Sequence, residues 1–267
     1  MEEKLERLKE IITDLGSTLV AFSGGVDSTF LLKVAHDVLG EEAVALTAVS
    51  PSYPAFELEE AREIAKEIGV RLLTENSNEL DISGYAENSP RRCFFCKTEL
   101  FSICFSKAKE LGIKNVIYGA TLSDLGDFRP GMDAAKEMGA KAPLLEAGLN
   151  KEEIRELSRQ MGLSTWDKPQ MACLSSRIPY GTRVTEDKLK IIALSELFLR
   201  RLGLRQFRVR YHEKIARIEI DDGEFDKLFS SDLRARISKH LKELGFTYVT
   251  IDVDGYRTGS MNEAIIK

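Results

Sequence analysis

Thr18-Leu19-Val20-Ala21-Phe22-Ser23-Gly24-Gly25-Val26-Asp27-Ser28 joins an apolar run to a loop of small and hydroxyl-bearing residues, and a helical pattern continues to about Leu39. A parallel strand delivers its C-terminal end to the ligand face of a sheet. Small residues there let backbone N–H groups close on an anion, and the next helix adds its positive N-terminus. Ser23 and Ser28 add hydroxyl donors. Asp27 is out of place beside a phosphate unless a cation sits between them, and Mg²⁺ is the simple candidate. The loop is not G-x-x-x-x-G-K-[ST], which occurs nowhere in the chain, nor is it G-x-G-x-x-G.

Outward from this loop the pattern repeats. A helix over 2–15 carries Leu5, Leu8, Ile11, Ile12 and Leu15 at helical spacing. Strands are predicted at 43–49, 70–74 and 115–120, with helices at 55–69 and 91–111. A short helix near 131–138, a short strand near 141–145 and a helix at 151–161 follow. Residues 76–90 read as loop. Strands alternating with helices predict an α/β fold, a parallel sheet with helices on both faces. Residues 163–184 show little periodicity, and a long irregular segment in a compact domain is usually functional or disordered. A helix at 186–202, strands at 205–211 and 215–220, a largely helical stretch at 224–244 and a strand at 248–253 then predict a small α+β domain. The boundary falls at 180–185, giving domains 1–182 and 183–267.

Composition narrows the function classes. Of 267 residues, 43% are apolar and 30% charged, which suits a globular protein of one large or two modest domains. Four cysteines are too few for a disulfide scaffold. The opening Met1-Glu2-Glu3-Lys4 lacks a basic and then apolar leader, and no apolar run reaches bilayer length, so a cytoplasmic protein without a membrane partner is expected. With 38 Lys+Arg against 43 Asp+Glu, the net charge of −5 argues against a grip on long nucleic acid.

Arg91-Arg92-Cys93-Phe94-Phe95-Cys96-Lys97 puts two thiols on one helix face. Such a pair can bind metal, form a redox disulfide or pack. Cys104 lies roughly 16 Å further along the helix and reads as a core thiol. Cys173 sits in the irregular segment near Lys168 and Arg177, and nearby cations with some exposure are what a reactive thiol needs. Arg208 and Arg210 alternate with Val209 on a strand and share one face, where two guanidinium forks suit a phosphate.

The string SGGVDS resembles the pyrophosphate loop (PP-loop) of N-type ATP pyrophosphatases, with an adenine nucleotide alpha hydrolase-like domain. That resemblance implies that Ser23, Gly24, Gly25, Asp27 and Ser28 hold the phosphates of ATP, with Mg²⁺ at Asp27. It places adenine against the backbone of 48–50, ending at Ser50, and sets Gly119 and Asp124 on the same rim. Taken alone, Asp124 reads equally well as a turn cap. RRCFFCKTELF, TLSDLGDFRPGMDAAKEMGAKAPLLEAGLNKEEIREL, WDKPQMACLSSRIPYG and FRVRYHEKIARIEI together resemble the LarE family, ATP-dependent sulfur transferases of nickel-pincer nucleotide biosynthesis.

The LarE resemblance implies adenylation of a carboxylate of pyridinium-3,5-biscarboxylic acid mononucleotide and its conversion to a thiocarboxylate, with a sulfide source as co-substrate. It implies that Cys93, Cys96 and Cys173 hold a [4Fe-4S] cluster carrying an extra sulfide. Sacrifice of the Cys173 sulfur, and zinc on the same thiols, are the competing readings. Ser176, Arg177, Arg208 and Arg210 are implied to bind the mononucleotide phosphate. Glu196 and Glu219 match positions associated with metal, although exposed surface carboxylates are the simpler expectation for both. A homo-oligomer is also implied. A cluster-dependent tRNA thiolase is the second reading, disfavoured by the acidic balance and by the lack of an added RNA module. An ATP-binding sensor and an ammonia-using synthetase are weaker, the latter because no glutaminase domain is present.

Overall fold

The computed structural model describes residues 1–125 and 129–264, so part of the quoted 121–157 stretch lies outside the described residues. In chain order the elements are α1 (Glu2–Leu15), β1 (Thr18–Ala21), α2 (Val26–Leu39), β2 (Ala43–Val49), α3 (Ala55–Ile68), β3 (Leu72–Asn76), α4 (Ser83–Ala86), α5 (Arg92–Leu111) and β4 (Asn115–Tyr118). There follow α6 (Pro130–Met138), α7 (Pro143–Glu146), α8 (Lys151–Gln160), α9 (Glu186–Arg201), β5 (Phe207–His212), β6 (Ile215–Ile220), α10 (Ser231–Glu243) and β7 (Tyr248–Ile251). The chain sorts into two compact units, residues 1–79 with 91–168, and residues 80–90 with 169–267.

In the first unit β3-β2-β1-β4 form an all-parallel sheet, with Val20 paired to Ala45 on one side and to Ile117 on the other. The pleat sends alternate residues to opposite faces. Val20, Ala45 and Ile117 join Leu8, Ile12, Phe30, Leu31 and Ile154 in one core. Leu19, Leu46 and Val116 join Phe101, Cys104 and Ala135 in the other. Helices therefore cover both faces, as the alternation of elements predicts. The strand expected near 141–145 is not formed. Lys141 makes a single parallel bridge to Ile117, and the chain then turns into α7. Pro143 is the reason: it has no N–H for a ladder and suits the first turn of a helix. β3 begins two residues later than expected, because Gly69 ends α3 in the left-handed region (φ 88°) and Val70 still closes that cap onto Ala65.

In the second unit β5 and β6 pair antiparallel and β6 and β7 parallel. One sheet face carries Phe207, Val209, Ala216, Ile218 and Ile220 and packs with Leu199, Ile237, Leu241 and Phe246. The segment 76–90, expected as loop, contains α4 and a short 3₁₀ turn at Glu79–Asp81. Its residues from 80 onward group with the second unit, as does 169–182, which the sequence reading gave to the first domain. Asn88 accounts for much of this. It is fully buried, takes φ 57°, and its Nδ2 donates to the carbonyls of Ile178 (3.1 Å), Pro179 (2.7 Å) and Thr182 (3.0 Å). The helical stretch expected at 224–244 is broken at Ser230, whose side chain caps α10. Among the described residues no helix is long and apolar enough to cross a membrane.

Candidate active site

The strand order runs outward from β1 through β2 to β3 and then returns to β4 on the other side of β1. In open α/β sheets the crevice at such a reversal, beyond the carboxyl ends of the strands, is where ligands bind. The loop 22–25 leaves β1 there. Gly24 takes φ 69°, a conformation that L side chains rarely adopt, and a Cβ on it would lie 3.2 Å from the Cβ of Ala61. Gly119, just past β4, lies against the start of α2: a Cβ there would come within 3.1 Å of Ser28 N and 3.2 Å of the Asp27 carbonyl carbon. Ser23 Oγ and Ser28 Oγ are 3.1 Å apart, and Ser28 Oγ is 3.3 Å from Ser23 N and 3.2 Å from Gly25 O. No side chain caps α2. The first-turn amide groups of a helix have no intrahelical partner, and α2 starts directly after the loop that leaves β1. The Gly25 amide donates to Ser23 Oγ at 3.4 Å, so loop amides and two hydroxyls gather at one place, an arrangement that suits an anion.

Asp27 and Asp124 bring opposite electrostatics to this rim. Asp124 caps the turn after Thr121, accepting from Thr121 N (2.9 Å) and Oγ1 (3.0 Å). Both Lys151 Nζ and Arg129 reach its Oδ1 at 3.1 Å. Burial pushes the Asp124 carboxyl up, but the Thr121 amide, Lys151 and Arg129 together hold it below the usual carboxylate range. The turn cap that the sequence offers for Asp124 is formed. Burial, reinforced by the nearby Asp124 charge, pushes Asp27 up to about 6 against the pull of Lys151, Arg155 and Arg129. Among the described residues no side chain pairs with Asp27. A carboxylate that is costly to ionise, beside a second carboxylate and an anion cradle, fits a divalent cation, so Asp27 would hold Mg²⁺ against the phosphates. Lys151 and Arg129 gave no signal in the sequence.

A pH dependence follows. An Mg²⁺ ion on Asp27 would have to displace its proton, so with the ion there affinity for magnesium–ATP should be nearly level above about pH 7 and fall toward about tenfold per unit below about pH 6. Calorimetric titrations of the wild type and of Asp27→Asn across this range separate the carboxyl from the titration of the nucleotide itself. The variant should bind weakly throughout, and only the wild type should lose affinity through the Asp27 step.

Ser50 lies just beyond β2, as expected. Its Oγ donates to Glu79 Oε1 at 2.7 Å, and Ser52 Oγ donates to the same atom. Glu79 is buried and was not singled out from the sequence. It ties the chain just after β3 to the turn after β2.

The four cysteines separate by environment. Cys104 is fully buried, and burial pushes its thiol up to about 12, the core role expected. Cys93 and Cys96 sit in the first turns of α5, the former exposed and the latter half-buried. Beside them Arg91 lies over the ring of Phe94 at 4.5 Å. Cys173 is half-buried. Among the described residues no group of three or more His, Cys, Asp or Glu side chains is gathered closely enough to hold a metal ion. Cys93 and Cys96 by themselves supply two ligands, short of a cluster site.

In the second unit the other face of the β5–β6 sheet is charged and buried. Arg208 and Arg210 share it, as the alternation predicts, and both are almost fully buried. Their donors are committed largely to main chain. Arg208 donates to Phe207 O and Gln170 O, while Arg210 donates to Ser176 O (3.0 Å) and Glu219 (2.6 Å). Among the described residues Arg210 Nε is buried without a partner. Arg177, wholly buried, forks onto Glu196 through Nε (2.9 Å) and Nη2 (2.8 Å). Its Nη1 donates to Ala172 O, Cys173 O (3.0 Å) and Ser176 Oγ (3.0 Å). Three guanidinium groups therefore clip the loop that carries Cys173 by its carbonyls on both sides of the thiol. The surface placement expected of Glu196 and Glu219 is overturned. Both are buried, Glu196 on Arg177 and the Val209 amide, Glu219 on Arg210 and Arg217. A metal ion would have to displace an arginine at either.

The fold and the phosphate loop define an α/β nucleotide-dependent enzyme of the PP-loop class. Partial likeness to other members agrees. The chain is 26% identical, over 61% of its length and 47% of the other, to a chain of the glutamine-hydrolysing GMP synthase of Sulfurisphaera tokodaii. It is 26% identical, over 55% of its length and 38% of the other, to an argininosuccinate synthase from Haloarcula marismortui. These relatives support an enzyme that uses ATP. No protein-family model matches the chain. The chain is 43% identical, over the whole of both sequences, to an uncharacterised protein of a Synechocystis strain. It is 37% identical to the pyridinium-3,5-bisthiocarboxylic acid mononucleotide synthase of Lactiplantibacillus plantarum, over 99% of this chain and 95% of that one. The chain belongs to the LarE family of these synthases.

Proposed function

We propose that this protein is an ATP-dependent sulfur transferase that turns a carboxylate of pyridinium-3,5-biscarboxylic acid mononucleotide into a thiocarboxylate. The observation that carries the reading is the presence of both a backbone anion cradle at the end of β1 and a cysteine loop held by three arginines in a chain alike over nearly its full length to a named synthase. A carboxylate resists nucleophiles because it is anionic. Its oxygen attacks the α-phosphorus of ATP, pyrophosphate leaves, and the mixed anhydride has lost that charge and gained a good leaving group. The cradle of Ser23, Gly24, Gly25 and Ser28, with Mg²⁺ on Asp27, stabilises the departing pyrophosphate. A sulfur nucleophile at Cys173 then attacks the acyl carbon and AMP leaves with its bonding pair.

Where the Cys173 sulfur itself is used, the thioester resolves by elimination. A base removes the Cα proton, the electron pair forms Cα=Cβ, and the Cβ–Sγ bond breaks to release the thiocarboxylate and leave dehydroalanine. A [4Fe-4S] cluster on Cys93, Cys96 and Cys173 belongs to the same proposal and rests on the spacing of the thiols and on family likeness. Ser176, Arg177, Arg208 and Arg210 are proposed for the mononucleotide phosphate, with the unpartnered Nε of Arg210 as the first donor on offer.

The test is anaerobic turnover with magnesium–ATP, the dicarboxylate and sulfide, scored by pyrophosphate release, iron content and the masses of product and protein. Pyrophosphate release that requires the dicarboxylate, with a product in which sulfur replaces oxygen, is the expected result. Release driven by tRNA or ammonia instead would overturn it.

A further inference from the structure

Two consecutive peptide groups of the phosphate loop are held from behind, through their carbonyl oxygens. Tyr53 Oη donates to Ser23 O at 3.0 Å, and Lys168 Nζ donates to Gly24 O at 2.9 Å. In a trans peptide the C=O and N–H point in opposite directions. Fixing Ser23 O and Gly24 O therefore fixes where the amides of Gly24 and Gly25 aim. The 24–25 peptide is the one that most needs fixing, because a glycine flanks it on each side and neither offers a Cβ to oppose rotation. The lysine is itself held. Glu60 on α3 takes its Nζ at 2.9 Å, and the lysine side chain is only 13% exposed. The Lys168 carbonyl accepts from Arg155 Nη2 at 2.8 Å. Arg155 Nη1 also holds Trp166 O at 2.7 Å. The strap 166–168 is thereby fastened between α8, α3 and the loop.

We infer that Lys168 is a positioning residue of the phosphate site: it pins the Gly24–Gly25 peptide so that the Gly25 amide, which donates a long hydrogen bond to Ser23 Oγ (3.4 Å) in this structure, stays on the side from which it can meet a bound pyrophosphate group, with Tyr53 doing the same for the peptide before it. Without the lysine this peptide can turn its carbonyl toward the anion, which exchanges an attractive dipole for a repulsive one. The loss falls on the pyrophosphate part of the nucleotide and spares the rest. This rests on the ATP reading proposed above. Lys168 is also where the chain leaves the first unit, five residues before Cys173, so the strap that orders the phosphate cradle leads directly into the thiol loop.

The test is binding of inorganic pyrophosphate with magnesium, and separately of AMP, to the intact protein and to Lys168→Met, Lys168→Arg and Tyr53→Phe. Lys168→Met should lose about tenfold or more in pyrophosphate affinity while AMP affinity stays within about twofold. Lys168→Arg, which can still donate to Gly24 O, should recover most of the loss, and Tyr53→Phe should show the same selectivity at smaller size. Equal pyrophosphate affinity in wild type and Lys168→Met, or an equal loss for AMP, overturns the inference while leaving the ATP reading standing. A wild-type protein that binds neither pyrophosphate nor ATP overturns the reading, and the inference with it.

Discussion

Glu196→Ala should cost about 3–5 kcal/mol of stability, the usual penalty for leaving a buried charge without its partner. Arg177 is wholly buried, and both of its donors facing Glu196 lie within 2.9 Å of a carboxylate oxygen. Glu196 Oε1 also accepts from Val209 N at 2.9 Å, so the substitution orphans a backbone donor of β5 as well. Denaturant unfolding would measure the loss. Arg177→Met with Glu196→Leu should restore much of it, because a buried pair replaced by apolar side chains of similar size is often neutral. The double variant should nevertheless be catalytically poor, since Arg177 also holds Ala172 O and Cys173 O. That split between recovered stability and lost activity is what a positioning role for Arg177 requires. Acid gives a second reading of the same pair. Burial would raise the Glu196 carboxyl, but the charge of Arg177 and its hydrogen bonds hold it below its ordinary value of 4.5. Its contribution is therefore in place above that pH and is lost as pH falls below it.

The legible parts of the site were those whose reason is local. SGGVDS carries its own geometry: a strand, a turn that requires φ above zero at Gly24, and a helix start. The two-residue alternation of Arg208 and Arg210 was enough to put them on one face. Their hydrogen-bond partners were not legible, because Gln170 O and Ser176 O are main-chain atoms more than thirty residues away and carry no residue-type signal. The sequence shows Lys168 only as a cation near Cys173, while its partners are Gly24 O on the loop after β1 and Glu60 on α3, both more than a hundred residues away in the chain. Glu196 did leave a sign at odds with an exposed position. Leu189, Ile192 and Leu199 form the buried stripe of α9, and position 196 falls on it. A carboxylate on an apolar stripe needs a buried cation, and Arg177 supplies one. Glu219 left a fainter sign, standing directly opposite Arg208 in the β5–β6 register.

Cys173→Ala should abolish thiocarboxylate formation while leaving the fold and the affinity for magnesium–ATP within about twofold of wild type. The cysteine opens a short 3₁₀ turn, Leu174–Arg177, and its carbonyl accepts from Ser176 N at 3.0 Å and from Arg177. Every one of these contacts is made by main chain, which alanine preserves. Adenylation needs no thiol, so pyrophosphate should still be released on addition of the dicarboxylate, and the acyl-adenylate should accumulate or hydrolyse. Pyrophosphate release and product mass, followed in one sample, measure the two half-reactions separately. Cys93→Ala and Cys96→Ala then distinguish the sources of sulfur. If these variants still transfer one sulfur per chain and Cys173 is converted to dehydroalanine, the thiol of residue 173 is consumed and the pair on α5 is dispensable. If they adenylate but transfer nothing, sulfur delivery needs all three thiols, because two ligands one helical turn apart cannot hold an iron–sulfur centre without a third.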